Sequence, residues 1–302
     1  MSKKIEGFSK FTKSEKIDWI TKTHFKNAKQ AKKQLESYWS LDSKLQARHE
    51  EFIENTLSNF YLPLGVAPNF LINGDIYTLP MVIEESSVVA AAANAAKFWS
   101  KRGGFKTKVI NSLKVGQIHF FYEGNPKELS AFFKNRKSDL LKTLVPLTKN
   151  MEARGGGVMS LDLIDKCDIL ENYYQLHLRF KTGDAMGANF INSCLEHLAK
   201  SLIQFASKDQ LSNENNKPID VLMSILSNYV PECLVHAEVS CPIKEFNLDN
   251  HNLNIETFTK RMIQAVAIAK YDPYRAVTHN KGIMNGVDAL IIATGHDFRA
   301  IE

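Results

Sequence analysis

Cysteine is scarce in this chain of 302 residues. Its four cysteines (Cys167, Cys194, Cys233 and Cys241) contain no CxxC pair, which argues against a secreted disulfide framework. Long apolar runs are absent too: nowhere do about 18 apolar residues follow one another, so no membrane-spanning helix is expected. Met1 to Phe11 alternates charge and apolar character without the hydrophobic stretch of a signal peptide. These absences together predict a protein of the reducing cytoplasm, with no membrane partner. The nine histidines show no HExxH or other ligand spacing, so no metal site is expected. Excess charge of one sign is also missing. Lysine and arginine number 38 against 33 acids, and a solvated mixed surface looks the same as a weakly basic one. Nucleic acid is therefore not an expected partner. The basic residues do gather between Lys3 and Lys33, first as a solvated helical face and second as a site for an anion such as phosphate.

What is present is a mixture of helix and strand signals. Lys13 to Trp39 reads as charged amphipathic helix, and helical periodicity returns from Leu45 to Phe60. "NFLINGDIYTLPM" places two apolar runs around Asn73-Gly74, a hairpin signal. "EESSVVAAAANAAKFWSKRGG" follows as an alanine-rich helix, with Ser86 or Ser87 to cap it and Gly103-Gly104 to end it. From about Lys114 come a strand ("VGQIHFFYE"), a helix (Pro126 to Leu147), two strands ("GGGVMSLDLIDKCDI" and "NYYQLHLRFK") and a helix ("GANFINSCLEHLAKSLIQFA"). A polar loop spans Asp209 to Lys217, and "VLMSILS" reads equally as helix or strand. If it is a strand, the order is βαββαβ, a ferredoxin-like unit. A strand from Cys233 to Cys241 and a helix from about Asn254 to Lys270 come next. The division this predicts is discontinuous: residues 1–112 and 227–302 form a large domain, with a small α+β domain, 113–226, inserted.

Three places carry chemistry. "KTGDAMGANF" lies between a strand and a helix, where glycines and free N–H groups suit a phosphate. Gly183 and Gly187 lack GxGxxG spacing, so an ordinary glycine turn is the simpler reading. Glu84 and Glu85 precede the alanine-rich helix, a place acids favour anyway. A catalytic role needs one of them buried enough to hold a proton near neutral pH. Lys281 precedes the apolar run Gly282 to Gly295, read as a helix whose positive end would ease loss of its proton, although most lysines are simply solvated.

The blocks "LPLGVAPNFLING", "LPMVIEESSVVAAA", "GDAMGANFIN", "ILSNY" and "DPYRAVTHNKGIMNGVDALIIATGHDFRA" together resemble soluble, class II hydroxymethylglutaryl-CoA (HMG-CoA) reductases. The likeness runs in order from about Gly7 to the last residue. It implies two hydride transfers from NADPH (or NADH) that convert HMG-CoA to mevalonate and CoA, for isoprenoid synthesis or, in reverse, for mevalonate oxidation. It also implies a large substrate domain interrupted by a small ferredoxin-like cofactor domain, with "VLMSILS" as a strand. Residue by residue, Glu85, Lys281 and Asp297 match the catalytic positions. Ser87, Asn228, Arg275 and Asn285 match those that hold the HMG moiety, and Asp184, Met186, Gly187 and Asn189 the cofactor motif. NAD-preferring relatives carry an acid shortly after the glycine run; Ser160 stands there after Gly155 to Gly157, and its neutrality favours NADPH. Asp162, two residues on, would share its face of an alternating strand.

Two departures stand out. Serine occupies position 86 where the family has proline, tolerable at a first helical position. Family members also continue past "ATGHDFRA" into helices and a mobile segment whose histidine protonates the departing thiolate. The chain is thus expected to be truncated and a poor catalyst alone, or a non-catalytic CoA-thioester-binding or assembly fragment. Last, Lys281 and Asp297 are 297 − 281 = 16 residues apart. On a straight helix that is about 24 Å, against about 2.8 Å for a charge-assisted bond. Either the helix bends sharply at Asn285-Gly286 or two subunits share each site, and a homodimer is the expectation, in line with the family.

Overall fold

A computed structural model of the chain describes residues 4–211, 219–246 and 254–301. The chain divides into two compact units: Met1–Asn69, Thr78–Lys97 and Leu248–Glu302 form one, and Phe70–Tyr77 with Phe98–Asn247 the other. Each is a mixture of helix and strand, and each is built from local signals already visible in the residues.

In the first unit, the stretch read as one helix from Lys13 to Trp39 is two, α1 (Lys13–His24) and α2 (Ala28–Glu36). Thr12 and Glu15 form a reciprocal capping box for α1. Asn27 interrupts the run by accepting from the Gln30 N–H at 3.0 Å, which starts a fresh helix. The periodicity from Leu45 to Phe60 yields only α3 (Ser43–Glu50). Beyond it, polar side chains compete with helical bonding: Thr56 donates to the Ile53 carbonyl at 2.8 Å, and Trp39 Nε1 to that of Leu57 at 3.0 Å.

The hairpin forms where Asn73-Gly74 predicts it, between β1 (Leu64–Ile72) and β2 (Asp75–Val82). Both turn residues are left-handed, at φ of 51° and 100°, which matches the strand twist. The alanine-rich helix is α4 (Val88–Ser100). It ends at Gly103 and Gly104, both left-handed. Ser87, at φ 72°, accepts from the Ala91 N–H at 2.8 Å. Ser86 therefore lies ahead of the first turn and does not occupy the first helical position.

The second unit holds β3 (Lys106–Phe121), α5 (Pro126–Glu152), β4 (Gly157–Asp165), β5 (Tyr173–Lys181), α6 (Ala188–Lys208), β6 (Asp220–Ser227) and β7 (Cys233–Glu238). "VLMSILS" is thus a strand. The sheet order is β4-β5-β3-β6, and each adjacent pair is antiparallel. β7 pairs with the first half of β3, from Lys106↔Glu238 to Ser112↔Cys233. Alternate residues of β3 and β5 (Ile118, Phe120, Leu176, Leu178, Phe180) enter one core with Leu140 and Leu144 of α5 and Ile191, Leu195 and Leu198 of α6. That is period two meeting period 3.6. β3 runs unbroken through Ser112, so the compact units and the division expected at 112 and 227 do not coincide. Of the polar loop Asp209–Lys217, residues 212–217 lie outside the described residues.

α7 (Ile255–Tyr271) and α8 (Pro273–Ala293) return to the first unit, followed by the short α9 (Phe298–Ile301). α8 begins at Pro273 rather than at Gly282. Asp272 caps it, accepting from the Arg275 N–H at 3.0 Å, and Pro273 occupies the first turn. Among the described residues no helix is long and apolar enough to cross a membrane.

Candidate functional site

In the first unit, the segment from Ile83 to Ser87 links β2 to α4 and carries Glu85. Lys281 and Asn285 lie four apart on α8 and so share one helical face. Both reach the same oxygen: Glu85 Oε2 accepts from Lys281 Nζ at 2.8 Å and from Asn285 Nδ2 at 3.2 Å. The Lys281 ammonium, by hydrogen bond and by charge, holds the Glu85 carboxyl below the usual glutamate range. This corrects one expectation. Burial raises Glu85, whose side chain is about half exposed, by less than the Lys281 cation lowers it.

A second correction concerns Lys281. It lies in the interior of α8, so the positive end of a helix does not act on it. A third concerns the route to Asp297. α8 keeps its helical bonding through Asn285 and Gly286, and the bend that would bring Lys281 to Asp297 within one chain is not there. Asp297 is instead held by Arg299, whose Nε and Nη2 donate to its two oxygens at 3.0 and 3.2 Å. That contact holds the Asp297 carboxyl below the usual aspartate range.

Around Glu85 a cavity of about 590 Å³ opens between β1, the end of β2 and the first turns of α4. Leu64, Val66, Met81 and Val89 make its wall apolar, while Glu84 to Ser87 put carboxylates and hydroxyls on its lining. Ser87 and Arg275 are both exposed in this unit, and the cavity touches Ser87 but not Arg275. Asn228, the remaining residue of the expected substrate set, is exposed just after β6 in the other unit.

In the second unit two glycine segments converge. Gly156 has no room for a side chain, because the Lys181 carbonyl stands 2.4 Å from where a Cβ would be. The glycine run before β4 thus abuts the start of the "TGDAMG" turn after β5. Thr182 closes that turn by donating to the Ala185 carbonyl at 2.6 Å. Gly187 then opens α6 in the left-handed region, at φ 79°, with no side chain capping the first N–H groups. Asp184, Met186 and Asn189 are exposed around it. Free N–H groups and the positive end of a 21-residue helix suit a pyrophosphate, so these residues fit a dinucleotide.

On β4, Ser160 pairs across with Arg179 of β5. Arg179 Nε donates to Glu232 at 2.5 Å, and its Nη1 lies 3.3 Å from Asp162 Oδ2 and 3.5 Å from Ser160 Oγ. Lys137 of α5 reaches the other Asp162 oxygen at 3.4 Å. Sequence reasoning singled out neither Arg179 nor Lys137. The signal for Arg179 was its alternation in phase with Tyr173, Gln175 and His177, the face of β5 turned away from the core.

Comparison with known proteins adds the following. The hydroxymethylglutaryl-coenzyme A reductase family model matches residues 13–302. The 3-hydroxy-3-methylglutaryl-coenzyme A reductase of Archaeoglobus fulgidus is 34% identical over all 302 residues, and the chain covers 64% of it. A probable reductase of the same name from Borreliella burgdorferi is 32% identical over 262 residues, 84% of the chain and 56% of that protein. The chain thus spans between half and two thirds of these relatives' length. A solved class II reductase of Streptococcus pneumoniae, bound to NADPH in open conformations, is similar with a TM-score of 0.74 and 32% identity, over 98% of this chain and 75% of that one.

Proposed function

The chain belongs to the hydroxymethylglutaryl-coenzyme A reductase family, and from that premise we propose that it binds HMG-CoA and works as an NAD(P)H-dependent reductase that yields mevalonate and CoA. The observation that carries this is the contact of Glu85 with Lys281 and Asn285, two donors from one face of α8 on a carboxylate oxygen about 200 positions earlier in the chain. The dinucleotide, when bound, supplies hydride. The chain's own residues do the rest. Charge developing on the thioester oxygen draws the Lys281 ammonium, a form of stabilisation worth about 3–4 kcal/mol per donor in comparable sites. As Lys281 turns to that oxygen, Glu85 loses the cation that lowers its pKa, and exclusion of water by bound substrate then favours its protonated form. Its carboxyl takes a proton from solvent and delivers it to the oxyanion that hydride addition leaves, a role worth roughly 10²–10⁴ in rate. Ser87, Asn228 and Asn285 are assigned to the HMG moiety, and the Arg275 fork to its free carboxylate.

The proposed division of labour gives residues 1–112 and 227–302 to HMG-CoA and subunit association, and 113–226 to the cofactor. The β4-β5-β3-β6 order with α5 and α6 supports reading that smaller part as a ferredoxin-like domain, with Ser160, Asp184, Met186, Gly187 and Asn189 at the dinucleotide. Four free cysteines support a reducing cytoplasm. We further assign the working form to a homodimer in which Lys281 of one subunit faces Asp297 of the other. Supporting this, α7 carries Ile263 and Val266 but has no buried residue, and Tyr274 and Val277 of α8 are exposed.

Calorimetric titration with HMG-CoA, CoA and a DNA oligomer, followed by loss of reduced-cofactor absorbance, tests the reading. Binding of HMG-CoA that weakens in Lys281→Ala is expected. DNA binding without CoA binding would end the proposal.

A further inference from the structure

We propose that Lys114 and Cys233 form an oxidant-sensitive cross-linking site, at which a peroxide joins the lysine nitrogen to the cysteine sulfur. Cys233 opens β7, and its register partner is Ser112 of β3. Lys114 stands two residues beyond Ser112, so its side chain leaves the same face of the sheet as Cys233. That diagonal placement is within reach of a lysine. The ammonium uses it: Lys114 Nζ donates to Cys233 Sγ at 2.9 Å. Such a separation is ordinary for an oxygen acceptor and short for the larger sulfur.

The second observation is what Lys114 lacks. It is half-buried, and among the described residues no carboxylate forms an ion pair with it. Glu232, the acid beside Cys233 in the chain, is taken by Arg179. On its other side Lys114 is in register with Phe180, a core residue. A partly buried charge needs a partner, and the Cys233 sulfur stands in that place. Cys194 differs in kind: it lies in the core, where burial pushes its thiol up to about 11.

Toward peroxide the nucleophile is the thiolate. It attacks one oxygen, the O–O bond breaks, and hydroxide leaves as Cys233 becomes a sulfenic acid. The hydroxide takes a proton from the ammonium beside it, which gives water and a neutral amine. The amine's lone pair then attacks sulfur and expels the sulfenic oxygen as a second water, a condensation that sulfenic acids undergo with nitrogen. Thiol, amine and peroxide have become a sulfenamide and two waters, with sulfur oxidised by two electrons and peroxide reduced by two. Added thiol reverses the step. Its sulfur bonds to Cys233 Sγ, the S–N bond breaks with the proton going to nitrogen, and a second thiol frees the cysteine. Closed, the link ties β7 to β3 directly after the loop that carries Asn228.

Peptide mapping by mass spectrometry, on the full chain after dilute hydrogen peroxide, gives the test. Expected is a cross-linked pair of peptides carrying Lys114 and Cys233, lighter than their sum by two hydrogens and separated by dithiothreitol. Cys194 should stay a free thiol, which shows that the fold survived the treatment. Lys114→Arg keeps a cation at the sulfur, but a guanidinium does not give up its proton to become a nucleophile. In that variant dimedone should trap Cys233 as its sulfenic acid, and no link should form. Lys114→Gln should lose the link as well. In the unaltered chain, a Cys233 that stays reduced while the exposed Cys167 oxidises would overturn the inference. Passage of Cys233 to sulfinic acid with Lys114 unmodified would do the same. So would equal linking in the urea-unfolded chain, because the site depends on the folded contact.

Discussion

Glu85 and Lys281 lie 196 positions apart, and no local rule of sequence says that they touch. Their types were legible through the "EESS" and "HNKG" blocks; their mutual contact was not. Nor was the setting of Lys281, although the signal existed. Aspartate followed by proline, Asp272-Pro273, is a cap and a first helical residue, and it starts α8 before the polar run that looked like a loop. The contact makes a measurable prediction. Lys281→Ala removes the principal cause of the low Glu85 pKa, so its carboxyl should titrate upward, toward 4.5. Carbon-detected NMR of labelled glutamate reads this directly, and an unmoved Glu85 would show that the contact does not persist in solution. The sign for stability follows. A carboxyl depressed in the folded state contributes above its unfolded pKa, and that contribution is lost as pH falls through the lower, folded value. Glu85→Gln should leave HMG-CoA binding largely intact while lowering turnover by about 10²–10⁴.

Elements were the most legible level, because Asn-Gly, Gly-Gly and alternation are local instructions. Failures were local too: Asn27 split a helix and the side chains around Thr56 stopped another. Two predictions belong here. Gly187 is left-handed, and an added Cβ would lie 2.5 Å from Thr182 Cγ2. Gly187→Ala is therefore expected to destabilise the second unit by about 1–2 kcal/mol and to weaken dinucleotide binding, as read by denaturant midpoint and titration. His119 and His177 stand on the face of the sheet away from the core, and burial depresses both below the ordinary 6.5. A histidine depressed in the folded state binds its proton first in the unfolded chain. Stability is thus complete above about 6.5 and declines as pH falls from there toward the folded values. Thermal midpoints at pH 7.5 and 5.5 should show that loss, and a double His119→Gln, His177→Gln variant should flatten it. An identical slope in the variant would assign the loss to other groups.

For the whole molecule the decisive measurement is complementation. Lys281→Ala and Asp297→Ala subunits are each expected to be inactive, and a mixed dimer should recover one intact site of two. Mixing with proven subunit exchange and no recovery would mean that each chain closes its own site. The continuity of α8 past Asn285-Gly286 removes the bend that a site closed within one chain would need. The exposed apolar residues of α7 favour association of some kind.

By itself the sequence determined the secondary structure that rests on caps, turns and periods, the family, and the residue types at the chemical positions. These are properties of neighbours along the chain, or of motifs whose order survives without coordinates. Tertiary structure alone decided the rest. It put Lys281 in the interior of a helix and Asn285 beside it on Glu85, lowered the Glu85 carboxyl pKa through that contact, and set Arg179 between Glu232 and Asp162. A pKa and a cation's partner depend on distances between residues far apart in sequence. Spacing along the chain carries no information about those distances until the core has closed.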